Sequence, residues 1–295
     1  MVISLKNKTK HIIPEALESI INAYKYSFNP SYLKNNNLHY FSIRLYDKIE
    51  NKIIAMLYIW GENENISSIN LTAFFKEKEG LTKVSDPKLL ILNDIVYCTF
   101  NTGYSPLNAN KILLIEIQDK TIINYSFCSY KNRNRVEKNW AFYTLNLELY
   151  CVYNLYPLII LKAIKTTQNN IEFVEFFNNK AKEDDSYTLG TPVLKFGNEL
   201  IFIAHKKISK KGKRLYLGKP FTIILGEIPK LVSKKAYLYH SVKALFGSKH
   251  KFNKNLFSCI YFSGISIVNS KICLSYGIND VRWKTVLIEK KQLWH

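Results

Sequence analysis

The 295-residue chain is short of the residues that punctuate or staple a fold, with 11 Gly, 8 Pro and 5 Cys. So little Gly and Pro excludes collagen-like, low-complexity and Pro-rich linker architectures. The cysteines, Cys98, Cys128, Cys151, Cys259 and Cys273, are odd in number, widely spaced and set among apolar or aromatic neighbours. That pattern argues against a disulfide framework or a C-x-x-C metal site and reads as reduced core thiols. Met1–Lys10 carries lysines but no apolar h-region, so no secretory signal is visible and a cytoplasmic location is expected. The most apolar run, Leu149–Ile164, is interrupted by Asn154, Pro157 and Lys162 and is too short to span a bilayer.

Acidic residues are scarce as well. Twenty-three Asp+Glu against 42 Lys+Arg leave a formal charge of +19, which favours anionic partners. The excess concentrates between His205 and Lys254, where fourteen basic residues face Glu227 alone. Two readings stand side by side: a lysine-rich solvated surface from AT-rich codons, and a basic face for an anionic membrane surface or acidic polymer. Within it, Ser233–Phe257 sets Ala236, Leu238, Tyr239, Val242, Leu245 and Phe246 among lysines, a pattern compatible with an interfacial helix or an ordinary amphipathic one.

What the chain has in quantity is apolar residues, 47%, and aromatic ones, 14%. This is enough to bury a substantial core and excludes disorder. A unit also recurs five times: an apolar strand, a turn on Asn, Asp or Gly, and a second strand rich in Tyr, Phe, Ile and Leu. The copies begin at Pro30, Pro87, Ala141, Pro192 and Gly264, at intervals of 57, 54, 51 and 72 residues, and end at Arg44, Asn101, Asn154, His205 and Gly277. The intervals hold further strand-like runs, at 53–60 with 67–75, 111–117 with 121–128, 158–164 with 171–176, and 214–224. About four strands per fifty residues is the arithmetic of a propeller blade. The reading is therefore all-β: a single domain over 1–295, a five-bladed β-propeller with a short N-terminal helix and a basic insertion before the last blade. The helix, Pro14–Lys25, has Ala16, Leu17, Ile20, Ile21 and Tyr24 at helical spacing behind Pro14 and would cap or close the ring.

Propellers gather the equivalent ends of such hairpins around one channel. The residues that would converge there are Asn29, Asp86, Asn139 and Thr191 before the first strands, and Arg44, Asn101, Asn154, His205 and Asp280 after the second. As a set they suit a ligand rich in hydroxyl or phosphate groups; singly, each equally suits a wet channel. Three local stretches stand out. Ser85-Asp86-Pro87-Lys88 offers a carboxylate at a rigid strand entry with a counter-charge beside it. Arg133-Asn134-Arg135-Val136-Glu137-Lys138-Asn139-Trp140 combines three cations, a carboxylate and an aromatic, suited to gripping a phosphate while stacking on a sugar or base. Ser275-Tyr276-Gly277-Ile278-Asn279-Asp280 would let the chain turn at Gly277 and aim Asp280 inward.

In this order these stretches resemble the five-bladed propeller clan of inverting β-mannoside phosphorylases, related hydrolases and β-1,2-mannosyltransferases. The resemblance covers most of the chain. It is carried by Phe28-Asn29-Pro30-Ser31 with Arg44, by Asp86-Pro87, by Gly190-Thr191-Pro192 with His205, and by Ser275-Tyr276-Gly277 with Asp280. Its most specific match is Glu137-Lys138-Asn139-Trp140. Ser85 and Lys88 depart from the clan's Glu and Arg at the flanks of the Asp-Pro pair. The resemblance implies inverting general acid–base catalysis with Asp86 as the single proton carrier and no metal or resident cofactor. Asn29, Arg44, Glu137, Asn139, Trp140, Thr191, His205, Tyr276 and Asp280 would then bind substrate, and Lys88, Arg133, Arg135 and Lys138 phosphate.

The expectation from this reading is a carbohydrate-active enzyme peripheral to the inner face of the membrane. Its favoured form is a glycosyltransferase moving a mannose-type sugar from a nucleotide or phosphate donor to a cell-surface glycan acceptor. The alternatives are a phosphorylase or hydrolase of β-mannosides, and a non-catalytic propeller binding glycan or nucleic acid. Nucleic acid is the least favoured partner, because the 20 Tyr, 17 Phe and 4 Trp fall mostly within strands.

Overall fold

The computed structural model describes residues 1–62, 65–210, 212–247, 252 and 255–294. A short strand β1 (Val2–Ser4) and a helix α1 (Glu15–Asn22) precede five antiparallel ladders that follow one another along the chain. The first comprises β2 (Tyr26–Asn35), β3 (Leu38–Asp47), β4 (Lys52–Trp60) and β5 (Ser67–Asn70), and is followed by a helix α2 (Leu71–Glu79). The second holds β6 (Ser85–Leu92), β7 (Ile95–Asn101), β8 (Ile112–Gln118) and β9 (Thr121–Tyr130). The third holds β10 (Ala141–Leu145), β11 (Glu148–Leu155), β12 (Leu158–Thr167) and β13 (Asn170–Asn178). In the fourth, β14 (Tyr187–Leu189) and β15 (Leu194–Phe196) share the edge of β16 (Glu199–Lys210), which pairs with β17 (Lys213–Ile224) and through it with β18 (Lys230–Ser233). After β19 (Tyr237–Tyr239), the last ladder is β20 (Leu256–Val268), β21 (Lys271–Ile278) and β22 (Arg282–Ile288), followed by a terminal helical turn α3 (Lys291–Trp294).

Period-two alternation explains how these ladders stack, because successive residues of a strand face opposite sides. On β8, Leu113, Ile115 and Ile117 join a cluster with Leu33, Leu57 and Phe75 of the first ladder region, whereas Ile112 and Leu114 join Trp140, Phe142 and Phe173 of the third. The same rule places one cluster between the third and fourth ladders, around Val152 and Phe202, and another between the fourth and fifth, around Ile203 and Phe262. A fifth cluster joins last to first. Val268 and Cys273 pack there with Tyr32, Phe41 and the α1 residues Leu17 and Ile21. The helix expected at 14–25 therefore seals the seam between the two ends of the chain's fold. All five cysteines are buried and free.

Two sequence expectations fail locally. The strand expected over 67–75 stops at Asn70, whose side chain accepts from the Ala73 amide and starts α2; Gly80 at φ 65° ends it. Nor do the described residues of Ser233–Phe257 form an interfacial helix. They hold β19, which pairs in parallel with β1, and a π-helical turn at Lys243–Gly247. Tertiary pairing outweighs helical spacing there, because Leu238 is wholly buried between strands. Of the basic segment, residues 205–210 and 213–224 belong to the β16–β17 hairpin, and Lys211, Lys249, Lys251 and Lys254 lie outside the described residues. Among the described residues, no helix is long and apolar enough to cross a membrane.

Close approach at Gly218 fixes that hairpin against the last ladder. A Cβ there would lie 2.3 Å from Cε2 of the buried Phe262 ring. Gly218→Ala should therefore destabilise the protein by about 2 kcal/mol, read as a lower urea midpoint, because neither partner can retreat. Phe262→Leu in the same background should recover part of the loss, a non-additivity that independent sites would not show.

Candidate active site

Strand register defines two columns of equivalent positions. Ser31, Lys88, Ala141 and Gly264 face Ser42, Thr99, Val152 and Ser275 in their hairpins. Two residues before the first set stand Asn29, Asp86, Asn139 and Phe262, and two residues after the second stand Arg44, Asn101, Asn154 and Gly277. In the fourth ladder Thr191 bonds to Ile203, which brings Gly190 and His205 into the same columns. Asn29, Asp86 and Asn139 all have positive φ, at 52°, 53° and 65°. Asn and Asp tolerate this left-handed backbone best among residues with a side chain. The ladder slips beside the first two, between Phe28 and Ser31 and between Ser85 and Lys88. Neighbouring ladders fix these distortions: Ser31 Oγ accepts from the Leu89 amide at 2.9 Å, and Ser42 Oγ donates to the Pro87 carbonyl at 3.0 Å.

The columns open into a cavity of about 530 Å³, within the usual range for a small-molecule site. Of the candidates, Asn29, Arg44, Asp86, Lys138, Asn139, His205 and Asp280 line it. Asp86 Oδ1 accepts from Asn29 Nδ2 and Arg44, both at 2.9 Å, and Oδ2 accepts from the Tyr261 hydroxyl at 3.3 Å. Burial alone would raise the Asp86 carboxyl, but Arg44, Lys138, the Asn29 hydrogen bond and Lys88 outweigh it and hold the group well below the usual carboxylate range. Asp280 behaves oppositely. Burial pushes it up to about 6; Arg44 opposes the rise and Asp86 adds to it. His205 Nε2 accepts from the Phe262 amide at 2.8 Å, so the neutral ring carries its proton on Nδ1, which is buried and without a partner among the described residues. Burial, with Lys88 adding, lowers this imidazole to about 3 and keeps it neutral. Arg44 Nε is a second unpartnered buried donor.

The remaining candidates go elsewhere, and each departure has a local cause. Thr191 Oγ1 donates to the Pro192 carbonyl and accepts from the Ile203 amide, closing a strand end. Tyr276 belongs to the core between the last two ladders, with its hydroxyl 3.0 Å from His240 Nδ1. Lys88 is buried against Asn139 Oδ1 at 2.7 Å and the Gly190 carbonyl, and burial draws its ammonium down to about 7, so it braces the floor instead of facing the cavity. The eight-residue cluster divides. Lys138 and Asn139 reach the cavity, whereas Glu137 is held by Arg133 at 3.1 Å, Trp140 Nε1 at 3.2 Å and the Tyr153 hydroxyl. Arg133 and Arg135 bond to the carbonyls of Asn110 and Pro106, and Trp140 stacks edge-on to Phe173. The phosphate role expected of Lys88, Arg133 and Arg135 is thus not supported by their placement.

Cavity residues that sequence reasoning missed are Tyr261, Lys207, Arg214 and Tyr216. A signal existed for Lys207, two residues beyond His205 on the same strand face, and through hairpin register for its partner Tyr216. Tyr261 had none.

Solved structures that superpose on this chain include glycoside hydrolases and phosphorylases. A member of the GH130 family of mannoside phosphorylases, reported with hydrolases that target β-1,2 mannosidic linkages in Candida mannan, superposes with a TM-score of 0.62 at 10% identity, covering 90% of this chain and 85% of its own. The β-1,2-mannobiose phosphorylase of Listeria innocua gives 0.59 at 10% identity over 92% and 91%. A glycosyl hydrolase from Bacteroides ovatus gives 0.59 at 10% identity over 91% and 86%. The fold is that of the β-propeller glycosidases. No family model matches the chain, and no curated protein resembles it in sequence. These likenesses overturn the glycosyltransferase expectation, with its mannosyl transfer and polysaccharide biosynthesis, since the proteins that share the fold along nine tenths of the chain are named hydrolases and phosphorylases.

The Arg44–Asp86 pair predicts a stability phenotype. Arg44→Met would leave a buried carboxylate without its main partner and should cost about 3 kcal/mol at neutral pH in denaturant unfolding. A carboxyl held below its ordinary range stabilises the fold above pH about 4, and that contribution is lost as acid protonates it. The deficit of Arg44→Met against wild type should accordingly narrow on acidification, and Asp86→Asn in the same chain should remove most of it.

Proposed function

We infer that the protein is an inverting glycoside phosphorylase or hydrolase of β-mannosides, built as a five-bladed propeller with its site at the shared channel. Five ladders, and five core clusters of which one joins last to first, support the blade count. The observation that carries the reaction is the pair of acidic groups lining one cavity whose surroundings push them in opposite directions, Asp86 held below the usual carboxylate range and Asp280 raised to about 6. Two carboxyls whose environments push them apart are the acid–base signature of glycoside cleavage.

In this reading the proton carrier is Asp280, not Asp86 as the resemblance implied. Asp280 donates to the departing glycosidic oxygen, and Asp86 supplies the fixed negative charge that stabilises the oxocarbenium-like centre while accepting a substrate hydroxyl. A carboxylate held so far below the ordinary range is a poor base for activating water. A phosphate dianion needs no base, and Arg44 and Lys138 stand where they could receive it. That contrast favours phosphorolysis over hydrolysis.

The test is incubation with β-1,2-mannobiose and inorganic phosphate. Release of α-mannose 1-phosphate is expected, free mannose alone would make the enzyme a hydrolase, and no turnover of any β-mannoside would overturn the reading. Asp280→Asn should lower kcat at least 100-fold. In wild type, kcat/KM should fall about tenfold per pH unit above pH about 6, as the Asp280 proton is lost.

A further inference from the structure

One face of the β16–β17 hairpin forms a cationic wall that a neutral disaccharide does not require. Residues opposed in an antiparallel pair share a face, as do residues two apart on a strand. His205 opposes Gly218, Lys207 opposes Tyr216, and Ser209 opposes Arg214, so these three rungs rise on one side. Lys207, Tyr216 and Arg214 line the cavity above His205. At about 3.3 Å per residue, the Lys207 rung lies about 7 Å and the Arg214 rung about 13 Å beyond His205. The wall is held in place: Arg214, Leu215 and Tyr216 pair in parallel with β20, and Gly218 seats the hairpin on Phe262.

Among the described residues the charges on this wall are weakly compensated, Asp280 being the buried carboxyl that Arg214 acts on. Arg214 Nη1 reaches the Tyr216 hydroxyl at 3.5 Å, and Lys207 pairs at 2.5 Å with Asp185, whose side chain is 90% exposed. An exposed partner of that kind contributes little and is readily exchanged. Lys138 lines the same cavity. Arg44, Lys138, Lys207 and Arg214 thus bring four positive charges against the two carboxylic acids Asp86 and Asp280. Of these, Arg44 lies at the floor, one of its guanidinium nitrogens bonded to Asp86.

We propose that the sugar seated beyond the scissile bond carries an anionic group, phosphoryl or carboxylate, received by Lys207 and Arg214. The proposal rests on the reading above and adds the class of its leaving sugar. Inorganic phosphate attacking the anomeric carbon would have to sit at the floor, among Arg44, Lys138 and the free Nδ1–H of His205. A group on the next sugar would sit one sugar length higher, at the level of the wall. Arg214 can grip either oxyanion in bidentate fashion.

The experiment is calorimetric titration of the whole chain with mannose, mannose 6-phosphate, mannuronate and inorganic phosphate. It compares wild type with Lys207→Gln, Arg214→Gln and the double variant, none of which touches the floor. At least one of the two anionic sugars should bind tenfold or more tightly than mannose, lose that advantage in the double variant and weaken with salt. Inorganic phosphate should bind equally to wild type and double variant. Equal affinity for charged and neutral sugars would overturn the proposal while leaving the glycosidase reading intact. So would loss of inorganic phosphate binding in the double variant, which would make the wall a site for the free ion. Failure to bind any sugar would overturn both.

Discussion

A left-handed backbone at Asn29, Asp86 and Asn139 is the constraint from which the site follows. Positive φ at a residue with a side chain costs on the order of 1 kcal/mol or more, and such strain persists only where the surroundings over-determine it. At the first two, seryl hydroxyls of adjacent ladders do this by bonding the backbone at the slipped residues; Asn139 is held by its side-chain bonds to Lys88 and the Leu189 carbonyl. The result is that three polar side chains meet at one place. Remove the ladder slips and Asn29 and Asp86 would continue the alternation of their strands.

What the gathered groups do to one another decides their chemistry. Arg44 is the pivot, since it forms the direct ion pair with Asp86 and only opposes the rise at Asp280. Burial pushes both acids up, and the direct pair with Arg44, joined by Lys138, the Asn29 hydrogen bond and Lys88, turns Asp86 the other way. The neutral His205 and the buried Lys88 complete a floor in which donors outnumber acceptors, a polarity suited to oxygen-rich ligands.

Much of the architecture was legible because it is periodic. The five hairpin starts and the helical spacing of Leu17 and Ile21 are repeated signals, and each recurs in the structure. The column of Asn29, Asp86, Asn139, Arg44 and His205 was legible for the same reason, since equivalent positions of a repeat converge. What escaped was set by tertiary pairing. Asn70 looked like a strand residue until its side chain capped α2, and residues 237–239 were claimed by β1 from more than two hundred positions away. The charge-dense stretch at 133–140 misled because composition cannot say which side of the chain each residue faces: Lys138 and Asn139 went to the cavity, whereas Arg133, Asn134 and Trp140 bond to Glu137. The placement of Asp280 was anticipated, but its protonation state depends on burial and on Arg44 far along the chain, which no local motif encodes.

The clasp between the two ends of the fold bears on the order in which the chain can reach its native state. Val2–Ser4 lies beside Tyr237–Tyr239, the Lys10 amide bonds to the Thr285 carbonyl, and α1 fills the seam against Val268 and Cys273. During synthesis, which runs at roughly 5–20 residues per second, the first ten residues must wait for more than two hundred others before they find partners. Until then β1 presents unsatisfied backbone and α1 is covered on the side of the first ladder alone, while the middle ladders can pack on one another as they emerge. The cavity shares that delay, since Tyr261 and Asp280 arrive with the last strands, so a nascent or truncated chain would be folded in part before the cavity is complete.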